Sequence, residues 1–435
     1  MIKLSYVRNL IVALLLVVLG GMLGYRFHQT GQLPLNLQNW PVLNRFLKPR
    51  RQSSLAQLIG DPEPPENLAT QPGEKVNFDA FWEVWALLED RYLESEKMEP
   101  NKMVHGAIAG MTAAIGDPYT IYLPPKDNQR SGEDLAGSFY GVGIELGYID
   151  ETLAVVAPLK GTPADHAGIQ AGDLILNVKD EQKDLDESTA GWSLNEAVEK
   201  IRGPKGSPVT LTLYRKNNGN KPFEITVNRG EIIVETVELS WLEKDGQKIA
   251  HLRVFRFGER TKVEWDQAVE EILSQGSQLS GVILDLRNNP GGFFDRSIDL
   301  ASDFVAKGQI VVSQKSKYDQ QDFYSNGTGR LIKIPVVVLV NRGSASASEI
   351  LAGALRDQKG TKLIGEKTFG KGTIQDRLEV SNGGGVHVTV GRWLLPKGDW
   401  IHDEGIPVSV EVTDDPETEN DEVLDRALDE FPLAN

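Results

Sequence analysis

The 435-residue sequence contains no cysteine, which removes thiol nucleophiles, disulfides and thiolate metal sites together. Histidine is scarce. The six residues His28, His105, His166, His251, His387 and His402 are scattered and form no H-E-x-x-H pair, so a zincin-type site has no ligands at the needed spacing. Neither a metal nor another cofactor is expected. Basic residues are outnumbered, 46 Lys and Arg against 62 Asp and Glu, leaving a net charge of −16. That balance disfavours nucleic acid, which rewards a basic stripe that neutralises phosphates. The G-x-S-x-G and S-x-x-K spacings of familiar serine hydrolases are also missing. The length exceeds what one ordinary core supports and predicts more than one domain.

One long apolar run is present. LIVALLLVVLGGMLG, residues 10–24, follows Lys3 and Arg8 and precedes Arg26, the arrangement of an export signal. No A-x-A site lies near Gly20, Gly21 or Gly24, which favours an uncleaved anchor over residues 1–26. A buried core helix fits poorly, because the run has no polar face and leads into a segment unsuited to pack on it. Residues 27–76, with KPRRQ and DPEPPENLATQPGEK, read as a Pro-rich linker.

The folded part begins at residue 77. Phe78, Phe81, Trp82, Trp85 and Leu88, then Met103, Ile108 and Met111, recur at helical spacing, so 77–136 is expected to be a small helical region with a stop at Gly116-Asp117-Pro118. Over 137–229 the pattern changes to short β-rich runs (YGVGIELGY, LAVVAPL, DLILNV, VTLTLYR, FEITVNRG) with one helical stretch, LNEAVEKIR, which predicts a five- or six-stranded domain. From 230 to 412 strands and helices alternate, predicting an α/β core with substantial parallel pairing. Residues 413–435 form an acidic tail in which Val423, Leu424, Ala427, Leu428 and Phe431 make an apolar stripe, suited equally to docking on the chain or on a second subunit.

Three segments carry chemistry. In IPVVVLVNRGSASASEILAGALRDQ an apolar strand enters a small-residue turn and then a helix whose first turn contains Ser346, Ala347, Ser348 and Glu349. Unpaired amides at a helix N-terminus favour a developing oxyanion beside a nucleophilic hydroxyl, although serine is also a common N-cap. In LIGEKTFGKGTIQ, Lys371 sits between Gly370 and Gly372, with Gln375 four residues on. A lysine acts as a base only when burial lowers its pKa, since about one in a few thousand is neutral at pH 7 otherwise; a solvated turn lysine is the bland alternative. In GVILDLRNNPGGFF an apolar strand ends at Gly291 and Gly292, where a turn can offer a further amide donor.

Together, NRGSASASEI, GEKTFGKGTIQ and LDLRNNPGG resemble the signature segments of the C-terminal processing peptidases, or tail-specific proteases. YGVGIEL, GTPADHAGIQAGDLILNV and AVEKIRGPKGSPVTLTLYR resemble their inserted PDZ domain, so the likeness spans roughly residues 78 to 412. It implies a multidomain α/β and α+β chain: a crotonase/Clp-protease-like α/β protease core over 230–412, a PDZ domain over 137–229 and a small helical N-terminal unit. It implies a Ser-Lys dyad with Ser346 as nucleophile, Lys371 as general base and Gln375 as auxiliary, Ser344 and Ser348 being structural. The oxyanion donors it implies are the amides of Ala347 and Gly292, with Gly291 as the alternative.

By the same resemblance Gly141, Val142, Gly143 and Ile144 form the loop that captures a substrate's terminal carboxylate, and Arg202 lies near the domain hinge as a coupling residue. EQKDLDESTAGWS departs from the usual pattern as a longer or more acidic PDZ loop. The expected partners are protein or peptide substrates with free C-termini and the membrane; a homo-oligomer or an adaptor protein stays open. The expected site of action is the extracytoplasmic side of a bacterial-type cytoplasmic membrane. The rival readings are a non-catalytic PDZ adaptor and a crotonase-like acyl-group enzyme, which coenzyme A binding would distinguish.

Overall fold

A computed structural model describes residues 77–216, 221–415, 417–418 and 420–431. The anchor expected over 1–26 and the linker over 27–76 lie outside the described residues. Among the described residues no helix is long and apolar enough to cross a membrane. The chain divides into two compact units, one ending at Lys97 and one beginning at Met98. In the first, the helix Asp79–Arg91 carries a row of aromatics, with Phe81, Trp82 and Trp85 in mutual ring contact and Trp82 61% exposed.

The second unit is organised by a six-stranded sheet. Its order is Val237–Lys244, Gln247–Val254, Leu279–Asp285, Val336–Val340, Leu363–Gly365, Val410–Glu411. Only the first pair is antiparallel, and the rest run parallel, as alternating strands and helices predict. Both faces are buried, which explains the continuous apolar runs VILD and VVVLV. Val282, Leu284, Val338 and Val340 face the helices Thr261–Ser274, Phe294–Ala301 and Ala347–Lys359, while Ile283, Val337, Leu339 and Ile364 face the C-terminal helix Glu422–Leu428.

That C-terminal helix docks on its own chain. Val423, Ala427 and Phe431 are buried on the sheet, and Phe431 fits over Gly281, where a Cβ would stand 2.0 Å from the ring. Arg287, at the end of the central strand, pairs with both Asp285 and Asp421, the N-cap of the helix. Desolvation opposes the Asp285 charge, but the His251 and Arg287 hydrogen bonds outweigh it and hold the carboxyl well below the usual range.

A second, antiparallel sheet contains Ile310–Ser316, Gln320–Tyr324, Thr373–Glu379 and the long strand Gly385–Leu394. Its edge strand, Ile121–Leu123, comes from the 77–136 stretch expected to be a small helical region. Pro100–Ala113 and Pro125–Ala136 on either side are helices. Three residues between two prolines and a Gly-Asp-Pro stop are too few to show a period of two in the sequence.

The insert over the β-rich region folds around a core of its own, including Leu153, Ile175, Val178, Leu211 and Ile201. Six strands enclose it, with the helix Leu194–Ile201 and a short helical turn Pro163–His166. Arg229 is buried at the exit and is satisfied by Asp180, Ile201 O, Ser207 Oγ and Pro208 O. A two-stranded ribbon, Ser138–Gly141 with Gly230–Ile233, pairs the entry and exit of the insert.

Replacing Phe431 by Ala removes a buried ring that nothing else fills. We expect Phe431→Ala to lower stability by about 3 kcal/mol in urea unfolding. An unchanged midpoint would mean that the helix does not dock as described.

Candidate active site

The strand Val336–Val340 ends in Asn341-Arg342-Gly343-Ser344-Ala345, and the chain reverses into the helix Ala347–Lys359 at Ser346. Ser346 adopts φ 55°, ψ −113°, outside the regions that non-glycine residues favour. Strain of this kind costs on the order of 1–3 kcal/mol and persists where the surroundings over-determine it. It is the geometry of a nucleophile elbow reached without the G-x-S-x-G spacing, because the clearance comes from another segment. Gly291, at φ 97°, lies so close that a Cβ would stand 2.7 Å from Ala345 O and 2.9 Å from Ser346 Cβ.

Side chains on both sides lock this turn. Ser344 Oγ donates to Leu286 O at 2.8 Å and accepts from Asn341 N–H, and Ser348 Oγ donates to Asn289 O at 2.9 Å. Both hydroxyls are therefore committed to backbone. Asn289 is fully buried and stitches the 286–292 loop together: its amide donates to Val254 O at 2.7 Å, and its Oδ1 accepts from Gly291 N–H at 2.9 Å.

That last bond bears on the oxyanion donors. The Gly291 amide, the alternative donor, is occupied by Asn289, while the amides of Ala347 and Gly292 meet no acceptor among the described residues. Gly292 lies in a parallel bridge with Phe257, where a Cβ would approach Phe257 O to 2.2 Å. Only glycine fits there.

Glu349 joins the serine turn to the lysine turn. Its Oε2 accepts from the Ser346 N–H at 2.8 Å and from the Lys371 N–H at 2.9 Å. Its Oε1 accepts from the Gly370 N–H at 2.7 Å and from Thr368 Oγ1 at 2.6 Å. One oxygen atom thus keeps the two backbone nitrogens no farther apart than the sum of those two bonds. Thr368 receives the Ile406 N–H at 2.7 Å, so its own proton goes to the carboxylate. Four donors around two oxygens match an ionised carboxylate, although burial pushes the Glu349 carboxyl up.

Glu349 was not singled out from the sequence, where a Glu three residues into a helix after serine reads as a capping box. The reciprocal spacing S-x-x-E was the available signal. What the spacing hides is the other three donors, Thr368, Gly370 and Lys371, from a segment about twenty residues away.

Lys371 occupies a crowded turn. Gly370 approaches the Gly405 amide and Gly372 approaches Trp400, each leaving no room for a Cβ. Trp393 Nε1 donates to Lys371 O at 3.0 Å, and Trp400 Nε1 to Gly372 O at 2.9 Å. Burial pushes the Lys371 amine below the ordinary lysine value, against the opposing pull of Asp117 and Glu349. Gln375 stands on the strand leaving the turn, with Nε2 donating to Thr373 Oγ1 and Thr389 Oγ1 at 2.9 and 3.2 Å. No Gln375 bond to Lys371 Nζ is present among the described residues.

Gly141 to Ile144 border a small cavity of about 70 Å³, shared with Phe139, Leu146, Val198, Ile201 and Arg202. The carbonyls of Val142 and Gly143 are taken by Ala164 N–H and Leu159 N–H. Gly143, at φ 80°, could not carry a Cβ, which would meet Thr162 at 2.4 Å. Ile144 begins a strand paired with Pro158. Arg202 lies 3.7 Å over the Phe139 ring and donates to Glu133 at 3.2 Å.

Glu349→Gln would keep the shape of the bridge but leave one carbonyl oxygen for four donors. We expect kcat to fall by about 10-fold or more and stability by about 1–3 kcal/mol, read from steady-state proteolysis and urea unfolding. Native kcat in this variant would show that the bridge does not control the site.

Residues 248–412 match peptidase family S41, 155–215 a PDZ domain, and 54–126 the activating protease CtpB N-terminal domain. The chain is 36% identical over 333 residues to carboxy-terminal processing protease CtpA of Bacillus subtilis, covering 77% of this chain and 68% of that one. It is 33% identical over 336 residues to CtpB of Bacillus subtilis, covering 77% and 67%. A solved photosystem II D1 C-terminal processing protease is 31% identical, with TM-score 0.45 over 79% of this chain and 90% of that one. With an S41 segment, a PDZ segment and relatives of this identity over two thirds of their length, the chain belongs to the carboxy-terminal processing proteases of peptidase family S41, PDZ-containing serine-type peptidases.

Proposed function

We propose that the chain cleaves proteins or peptides of the cell envelope with a Ser346-Lys371 dyad, and that its PDZ domain selects substrates by their free C-termini. The observation that carries the dyad is the Glu349 bridge, which ties the backbone of Ser346 to that of Lys371 through one carboxylate oxygen.

In this reading neutral Lys371 takes the Ser346 proton as Oγ attacks the scissile carbonyl. The amides of Ala347 and Gly292 donate to the oxyanion, which is consistent with both being uncommitted. The resulting ammonium gives its proton to the departing amine as the C–N bond breaks. Lys371 then deprotonates the water that hydrolyses the acyl-enzyme. Gln375, with its amide nitrogen already donating to two threonines, keeps its carbonyl oxygen for the lysine amine.

The PDZ reading rests on the cavity beside Gly141–Ile144, where an extended peptide adds as a strand and loop amides take its terminal carboxylate. The apolar run at 10–24 supports a tether to the extracytoplasmic face of a bacterial-type cytoplasmic membrane.

Digestion of β-casein by the full chain tests the dyad. Ser346→Ala and Lys371→Ala are each expected to lower the rate by at least about 10³-fold at unchanged folding, and Gln375→Ala by less. Cutting by Ser346→Ala at the native rate would remove the nucleophile from this reading. A substrate with an amidated C-terminus is expected to be cut several-fold more slowly; equal rates would remove terminal carboxylate recognition while leaving the dyad intact.

A further inference from the structure

The Gly-Asp-Pro stop at residues 116–118 reads in the sequence as punctuation after a helix. In the fold it delivers Tyr119 to the lysine: Lys371 Nζ lies 5.0 Å from the centroid of the Tyr119 ring. Among the described residues Lys371 Nζ has no hydrogen-bonded or ion-paired partner. The Tyr119 ring is the aromatic face that the amine meets.

Asp117 holds the ring there. Its Oδ1 accepts from the Tyr119 N–H at 3.0 Å and its Oδ2 from Thr120 Oγ1 at 2.6 Å. Asp117 also takes a hydrogen bond from the Thr389 side chain, which in turn accepts from Gln375 Nε2. Thr389 N–H donates to Thr120 Oγ1 at 3.1 Å. The loop, the second sheet and Gln375 therefore form one connected network beside Lys371. Tyr119 also contacts His402, with ring centroids 5.8 Å apart, and His402 stacks on Trp400 at 5.1 Å. This aromatic row stands over the Gly370–Gly372 turn, because Gly372 N–H donates to His402 Nδ1 and Trp400 Nε1 to Gly372 O.

We propose that Tyr119 is a positioning residue for the Lys371 amine: its ring face holds the ammonium that forms when Lys371 takes the serine proton, and its bulk keeps water away. The inference rests on the reading of Lys371 as general base. The two effects oppose each other. An aromatic face favours the charged amine, and exclusion of water favours the neutral one. The charged and titratable groups around the amine are Asp117 and Tyr119 on the loop, Glu349 on the helix, His387 on the Gly385–Leu394 strand, and His402 and Asp403 beyond the ring.

Opposed effects give variants that move in opposite directions. In the full chain, kcat/KM for β-casein is measured against pH, and the Lys371 pKa is read independently by competitive acetic anhydride labelling with mass spectrometry. Tyr119→Phe keeps the ring face and is expected to leave the acidic limb where the native chain has it. Tyr119→Leu keeps the apolar bulk without the face, so the limb and the labelling midpoint move down by roughly half to one pH unit. Tyr119→Ser admits water, and both move up.

A limb and midpoint that stay in place in both the Leu and Ser variants overturn the inference, whatever those variants do to stability. Lys371→Ala separates this failure from failure of the underlying reading. If Lys371→Ala cuts at the native rate, the base assignment falls. If it is inactive while the Tyr119 series is flat, only the role of Tyr119 falls. The labelling midpoint decides the matter even where a variant is too slow to assay.

Discussion

A buried carboxylate with four donors is the interaction on which the site depends. Glu349 is fully buried, and an ionised acid there is tolerable only because Ser346 N–H, Lys371 N–H, Gly370 N–H and Thr368 Oγ1 surround it. Each donor is a backbone group or is oriented by one, so the arrangement fixes chain path rather than side-chain rotamers. The serine and lysine turns come from different elements, one opening a helix and the other entering a strand of the second sheet. Their separation would otherwise depend on how two sheets pack.

Around that bridge the structure trades conformational comfort for proximity. Ser346 holds a strained backbone with Gly291 of the other loop lying close against it, and Gly292 lies against Phe257 where no side chain fits. The loop that supplies both glycines hangs from the central strand, whose end Arg287 ties to the C-terminal helix through Asp421. Burial has a second consequence at the lysine, where the dry surroundings that lower its pKa also make the Asp117 and Glu349 charges felt more strongly. In the proposed mechanism the site balances a base that must be neutral against acids that hold its environment together.

Much of this was legible in the sequence, for identifiable reasons. The parallel core follows from apolar strands alternating with helices, and the PDZ core from short β runs around LNEAVEKIR. The glycines at 291, 292, 370 and 372 read as turn positions beside strands, for which a plain turn is the commoner reading, and only the fold shows how closely other segments approach them. Glu349 was less legible, since S-x-x-E describes a helix cap equally well and the remaining donors lie far along the chain. Tyr119 was hidden behind the Gly-Asp-Pro stop, and Ile121–Leu123 behind its shortness. The C-terminal stripe gave its burial but not its partner, which depends on the cleft above Gly281.

The proposed Ser346-Lys371 dyad is tested most directly by a crystal structure of the full chain reacted with a peptide aldehyde. It predicts a covalent bond to Ser346 Oγ, with the adduct oxygen between the amides of Ala347 and Gly292, Lys371 Nζ within hydrogen-bonding distance of Oγ, and the Glu349 bridge intact. An adduct on another side chain, or one whose oxygen meets neither amide, would contradict it.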